Sequence, residues 1–106
     1  MVIIETSIFT RRIVELMSDD EYRELQVALV RDPDMGAIIQ GTAGLRKVRW
    51  KLTGRGKRGG ARLIYYWMRL DEQIYMLYAY AKGEQEDLTP EQKRLLTQVV
   101  ERWSNG

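Results

Sequence analysis

Two strand-forming runs lie back to back late in the chain, and they constrain the fold more than any other feature. Arg62–Arg69 is dense in aromatic and β-branched residues (Ile64, Tyr65, Tyr66, Trp67), which suit a pleated, half-buried surface. Leu70–Gln73 is a tight polar turn, and Ile74–Ala81 returns as a near-continuous apolar run. A run without polar alternation belongs in the middle of a sheet covered on both faces. The rest of the chain must therefore supply those covers.

The flanking segments do so. Met1–Glu5 reads as a short apolar strand, and Thr6 or Ser7 can cap a helix with Ile8, Phe9, Ile13, Leu16 and Met17 at roughly helical spacing. Ser18 with Glu21 forms a capping box for a second helix, whose buried stripe is Tyr22, Leu25, Ala28 and Leu29. Asp32-Pro33 ends it, because the residue before proline avoids helical geometry. Gly36, Gly41 and Gly44 punctuate a loop into Leu45–Leu52, a strand that alternates. Thr53–Gly60 is a glycine-rich basic loop. Thr89-Pro90-Glu91-Gln92 opens a last helix, with a capping threonine, a proline at the first helical position and a glutamine closing the box. Leu95, Leu96, Val99, Val100 and Trp103 form its buried face. The expected order is β-α-α-β-β-β-α. This is an α+β fold in which two N-terminal helices and a C-terminal helix pack a mainly antiparallel sheet. With 106 residues, 1–106 make one domain with a single core.

Charge is divided along this chain. Between Met35 and Leu70 there is no Asp or Glu, yet nine cations stand there: Arg46, Lys47, Arg49, Lys51, Arg55, Lys57, Arg58, Arg62 and Arg69. The remainder is acidic, so the net charge of +2 conceals a strongly basic block. Clustered Lys and Arg hold and steer polyanions, which points to nucleic acid. No apolar run approaches the length of a membrane span, and the N-terminus lacks a signal-peptide pattern. Cytoplasmic residence without membrane attachment is expected. Cysteine and histidine are both absent. A transition-metal site is not expected without them, and no cofactor is indicated.

Three features bear on chemistry. Gly54-Arg55-Gly56-Lys57-Arg58-Gly59 has the letters of a dinucleotide fingerprint, but a strand follows where that motif needs a helix. It reads as a basic hairpin tip able to lie along a phosphate backbone, or as a solvated turn with incidental charge. Lys47, Arg49 and Lys51 fall on one face of their strand, and Arg46, Val48 and Trp50 on the other. Three cations on one face repel each other unless acidic neighbours from a helix offset them or an anionic ligand does. Arg62 on the next strand and Lys82 after the last would complete such a ligand surface. The tyrosines at period-two spacing are mostly core, with one or two at an edge able to stack on bases. Lacking histidine, such a site must work with Lys, Arg and Tyr. These can stabilise charge on a phosphorane-like transition state, and a desolvated Lys among cations can move protons. An enzyme of this kind would depend on something else to position its substrate.

Gly44-Leu45-Arg46-Lys47-Val48-Arg49, then Gly56-Lys57-Arg58-Gly59-Gly60-Ala61-Arg62-Leu63-Ile64-Tyr65-Tyr66, then Tyr78-Ala79-Tyr80-Ala81-Lys82 and Asp87-Leu88-Thr89 resemble the RelE/HigB toxins of bacterial type II toxin–antitoxin systems, most closely the HigB-like branch. The likeness runs in order over nearly the whole chain. It implies a RelE-like microbial-ribonuclease fold and ribosome-dependent, metal-independent cleavage of mRNA in the ribosomal A site. The substrate 2′-hydroxyl would attack the scissile phosphate. It also implies a cognate antitoxin of helix-turn-helix type. By the resemblance, the catalytic positions are Lys47, Arg49, Arg62 and Lys82. Lys51, Arg55, Lys57 and Arg58 would contact RNA or the ribosome. The arginine that RelE carries after its last strand falls on Gly83, and its C-terminal tyrosine has no counterpart near Leu88 and Thr89. A ParE-like inhibitor of DNA gyrase, or a non-catalytic RNA-binding module, are the alternatives on the same fold.

Overall fold

The computed structural model describes residues 1–52 and 60–105. The elements run β1 (Val2–Glu5), α1 (Ser7–Leu16), α2 (Asp19–Arg31), β2 (Ala37–Ile38), β3 (Arg46–Trp50), β4 (Ala61–Met68), β5 (Gln73–Ala81) and α3 (Pro90–Asn105). The strands form one five-stranded sheet in the order β1-β5-β4-β3-β2. β1 lies parallel to β5, and every other neighbour pair is antiparallel.

The expected caps are in place. Thr6 accepts from the Phe9 N–H at the start of α1, Ser18 and Glu21 exchange capping bonds, and Thr89 and Gln92 do the same for α3. Each helix contributes one apolar stripe. Phe9, Ile13, Leu16 and Met17 join Leu25 and Leu29 against one face of the sheet. Val100, with Leu96, Val99 and Trp103 beside it, covers the other. Two residues assigned to these stripes from sequence lie outside them. Ile8 is 50% exposed and Leu95 47% exposed, because each sits about 100° around its helix from the neighbouring stripe residue.

β2 is an element the sequence reading leaves as loop. Two residues pair with β3, and the Ile39 N–H donates to the Leu45 carbonyl 2.8 Å away. So short a strand carries no alternation to read. The loop before it is held from the sheet. Tyr65, fully buried, accepts from the Gly36 N–H (2.9 Å) and donates to the Pro33 carbonyl (2.7 Å), while Arg46 donates to the Gly36 carbonyl (2.8 Å). A Cβ on Gly36 would stand 2.7 Å from the Tyr65 ring, so glycine is what permits this approach.

β5 is covered on both faces, as its apolar run requires. Its regular alternation breaks once. Tyr65 pairs with Met76 but Ile64 pairs with Tyr78, so Leu77 is an extra residue on β5. Before this bulge Ile74 and Met76 face α1 and α2; after it Ala79 does, and Tyr78 and Tyr80 face α3. β1 covers only Gln73–Met76, so the far half of β5, paired with β4 on one side, has no strand among the described residues on the other. Side chains take over there: Thr6 Oγ1 donates to the Leu77 carbonyl, Arg12 Nε to the Ala79 carbonyl, and the Ala81 N–H donates to Glu84.

Candidate functional site

The sheet face toward α3 collects the cations. Register places Arg49 opposite Arg62 across β3 and β4, and Arg62 opposite Tyr80 across β4 and β5. The next row reads Lys47, Ile64, Tyr78. Directly opposed side chains in an antiparallel pair have Cβ atoms about 5 Å apart, so Arg49 and Arg62 are immediate neighbours of like charge. Arg62 is 8% exposed. A guanidinium held this deep beside another cation costs stability unless anions or acceptors compensate it. The Ala61 carbonyl accepts one of its bonds at 3.3 Å.

The nearest carboxylate comes from the β5–α3 connection and not from a helix. Asp87 is ion-paired to Lys47. Its carboxyl is held below the ordinary aspartate range, first by its hydrogen bond to Lys47 and further by the fields of Arg49 and Arg62. One carboxylate thus serves three cations. Beside it lie a depression of about 290 Å³ lined by Ile39, Lys47, Asp87, Leu88 and Lys93, and another of about 340 Å³ lined by Arg49, Trp50, Lys51 and Arg62.

Tyr80 stands beside Arg62 in this row. Its side chain is fully buried and its hydroxyl has no hydrogen-bond partner among the described residues. Burial pushes the phenol up from its usual pKa, Asp87 adds to the rise, and Arg62 and Arg49 oppose it. The group therefore stays neutral, a hydrogen-bond donor.

The residues singled out from sequence distribute as follows. Lys47, Arg49 and Arg62 share one face, and Lys51 stands at its rim, exposed. Lys82 follows β5 at the same end of the sheet, with its backbone N–H on the Gly60 carbonyl at 3.2 Å. Its side chain is exposed, and no hydrogen bond or ion pair ties it to the arginines among the described residues. Arg55, Lys57 and Arg58 lie outside the described residues. Sequence reasoning missed the parts played here by Asp87 and Tyr80. Only the register across β4 and β5 reveals Tyr80, and only the path of the β5–α3 connection reveals Asp87. Among the described residues no group of three or more Asp and Glu could hold a metal ion.

Residues 4–105 match the family model for the RelE toxin of the RelE/RelB toxin–antitoxin system. This chain belongs to the RelE toxin family. Solved structures agree on the fold. A chain of the intact Escherichia coli RelBE toxin–antitoxin complex superposes with a TM-score of 0.59 at 12% identity, covering 76% of this chain and 94% of that one. A mutant of E. coli toxin RelE in the free state superposes with a TM-score of 0.58, also at 12% identity, covering 80% of this chain and 86% of that one. The RelE-like α+β fold expected from the sequence is the one observed. No helix among the described residues is long and apolar enough to cross a membrane.

Proposed function

We propose that this RelE-family chain is the toxin of a type II toxin–antitoxin system and cleaves messenger RNA in the ribosomal A site, without a metal ion. The observation that carries this reading is the cross-strand pair of Arg49 with the buried Arg62, next to Lys47 on the same face. Two guanidinium groups, Arg62 buried and Arg49 exposed beside it, suit the oxygens of a phosphodiester, which they bind through paired donors. In the proposed reaction the 2′-oxygen attacks phosphorus and the bond to the 5′-oxygen breaks. A 2′,3′-cyclic phosphate and a 5′-hydroxyl result. Arg49 and Arg62 hold the phosphate and stabilise its added negative charge. Lys47 and Lys82 assist the proton leaving the 2′-hydroxyl and the proton reaching the 5′-oxygen.

With no histidine for acid–base work, this set is weak unless the substrate is pre-positioned, which is what the ribosome would supply. Lys51, Arg55, Lys57 and Arg58 would contact the RNA backbone at the rim. The motifs Gly44–Arg49 and Gly56–Tyr66 support the HigB-like branch and a helix-turn-helix antitoxin as partner in the cytoplasm. The RelBE complex of E. coli is a precedent for an antitoxin on this fold.

Primer extension on a defined mRNA, with and without translating ribosomes, tests the reading. Cuts within codons are expected only when ribosomes are present, and Arg62→Ala should reduce them by about 100-fold or more. Undiminished cutting by Arg62→Ala would remove the assigned site. Absence of cutting with ribosomes would overturn the activity.

A further inference from the structure

Resting on that reading, we propose that the Tyr80 hydroxyl is a third donor of the phosphate subsite, contacting a non-bridging oxygen held between Arg49 and Arg62. Geometry places it there. Arg49, Arg62 and Tyr80 form one row across three strands, all on the face toward α3. The hydroxyl is fully buried, yet among the described residues nothing accepts or donates a bond to it. A buried hydroxyl without a partner is costly, and in a native fold such a group calls for an explanation. Tyr65, on the neighbouring strand and the opposite face, shows the ordinary outcome: its hydroxyl is satisfied twice.

What could satisfy Tyr80 follows from its surroundings. The groups whose charge reaches the phenol are Asp87, Arg62, Arg49 and the neighbouring Tyr78. The hydroxyl lines neither depression, so an anion between the arginines reaches it when the Arg62 side chain shifts to admit the ligand, and the phenol, kept neutral, can only donate to it. A phosphate oxygen is such an acceptor, and a hydrogen bond from a neutral donor to a charged oxygen is among the stronger kinds. The cost of the unpartnered donor is thus borne in the free chain and recovered on binding or in the transition state.

The test is Tyr80→Phe in the full chain, which removes only the oxygen. It should unfold at the same temperature as wild type or higher, because an unsatisfied polar atom is gone. Single-turnover cleavage on programmed ribosomes should fall about 10- to 100-fold. A second measurement stands independently of cleavage: inorganic phosphate titrated into wild type should shift the Tyr80 ring Cζ resonance, and phosphate should bind Tyr80→Phe about 10-fold more weakly. If wild type fails to cut on ribosomes but this resonance still moves, the subsite survives and the activity does not. Wild-type cleavage by Tyr80→Phe would overturn the proposal and leave the activity standing. A Cζ resonance unmoved by saturating phosphate would also overturn it.

Discussion

Replacing Tyr65 by phenylalanine should destabilise this chain by about 2–4 kcal/mol, although the ring and its packing stay in place. The magnitude comes from what the hydroxyl holds. It accepts from the Gly36 N–H at 2.9 Å and donates to the Pro33 carbonyl at 2.7 Å. Gly36 is buried, so its amide would lose its acceptor with no water to replace it, which costs about 1–3 kcal/mol. The Pro33 carbonyl is only half-buried and can be rehydrated, so it adds about 0.5–1.5 kcal/mol. No cavity compensates or adds to this, since a phenyl ring fills the same space. Against a total of roughly 5–15 kcal/mol for a domain of this size, the loss is large. Urea unfolding followed by tryptophan fluorescence should show the midpoint falling by about 1–3 M at unchanged slope. A midpoint within about 0.3 M of wild type would refute the reasoning, because the loop before β2 would then not depend on this hydroxyl. Tyr80→Phe is the matched control: same chemistry, same pair of strands, opposite sign expected.

Two further outcomes follow from the ion pairs. Asp87→Asn frees Lys47 from its counter-charge, so single-stranded RNA should bind more tightly at low salt and the slope of log affinity against log salt should steepen by about 0.7; an unchanged slope in filter binding would show that Lys47 does not meet the backbone. Glu84 is held below the usual glutamate range first by its hydrogen bond to Arg12 and then by the Ala81 N–H. A depressed folded pKa means that the stabilisation is present above the unfolded value and is lost as pH falls through the folded one. Glu84→Gln should therefore cost about 0.5–1 kcal/mol near neutral pH, a figure lowered for the partial exposure of both partners. That difference should shrink as pH falls below the ordinary glutamate range and disappear once the carboxyl is protonated in the folded state as well, in paired urea titrations. A difference constant across that window would assign it to packing.

Much of the scaffold is legible in the sequence because its signals are local. Ser18 with Glu21 and Thr89 with Gln92 mark helix starts within four residues, and the apolar run at Ile74–Ala81 announces a doubly covered strand. The common face of Lys47 and Arg49 follows from alternation alone. What escapes is whatever depends on register or on long-range approach. Leu77 is one apolar residue among many, yet as a bulge it changes which neighbours share a face. Without it, a strict period of two from Met76 would turn Tyr78 and Tyr80 toward α1 and α2 and away from the arginines. Asp87 meets Lys47 across 40 residues of sequence, and nothing local in either segment predicts that approach.

The bulge also ties the site to the opposite edge of the sheet. At the extra residue Thr6 donates to the Leu77 carbonyl with the hydroxyl that simultaneously caps α1. Arg12, one turn into the body of that helix, secures the Ala79 carbonyl and pairs with Glu84, whose other oxygen accepts from Ala81. The strand segment that carries Tyr80 is therefore fixed from α1 on one side and by pairing with Arg62 on the other. This explains how a site made of mutually repelling cations keeps its shape without ligand. The repulsion between Arg49 and Arg62 acts on two strands whose pairing with each other and with β5 is itself held by groups outside the charged face. Asp87 contributes an opposing charge from within it. On the proposed reading, a phosphate that replaces the Asp87 carboxylate meets strands already held from outside the charged face, so little of its binding energy goes into ordering the backbone that carries the donors.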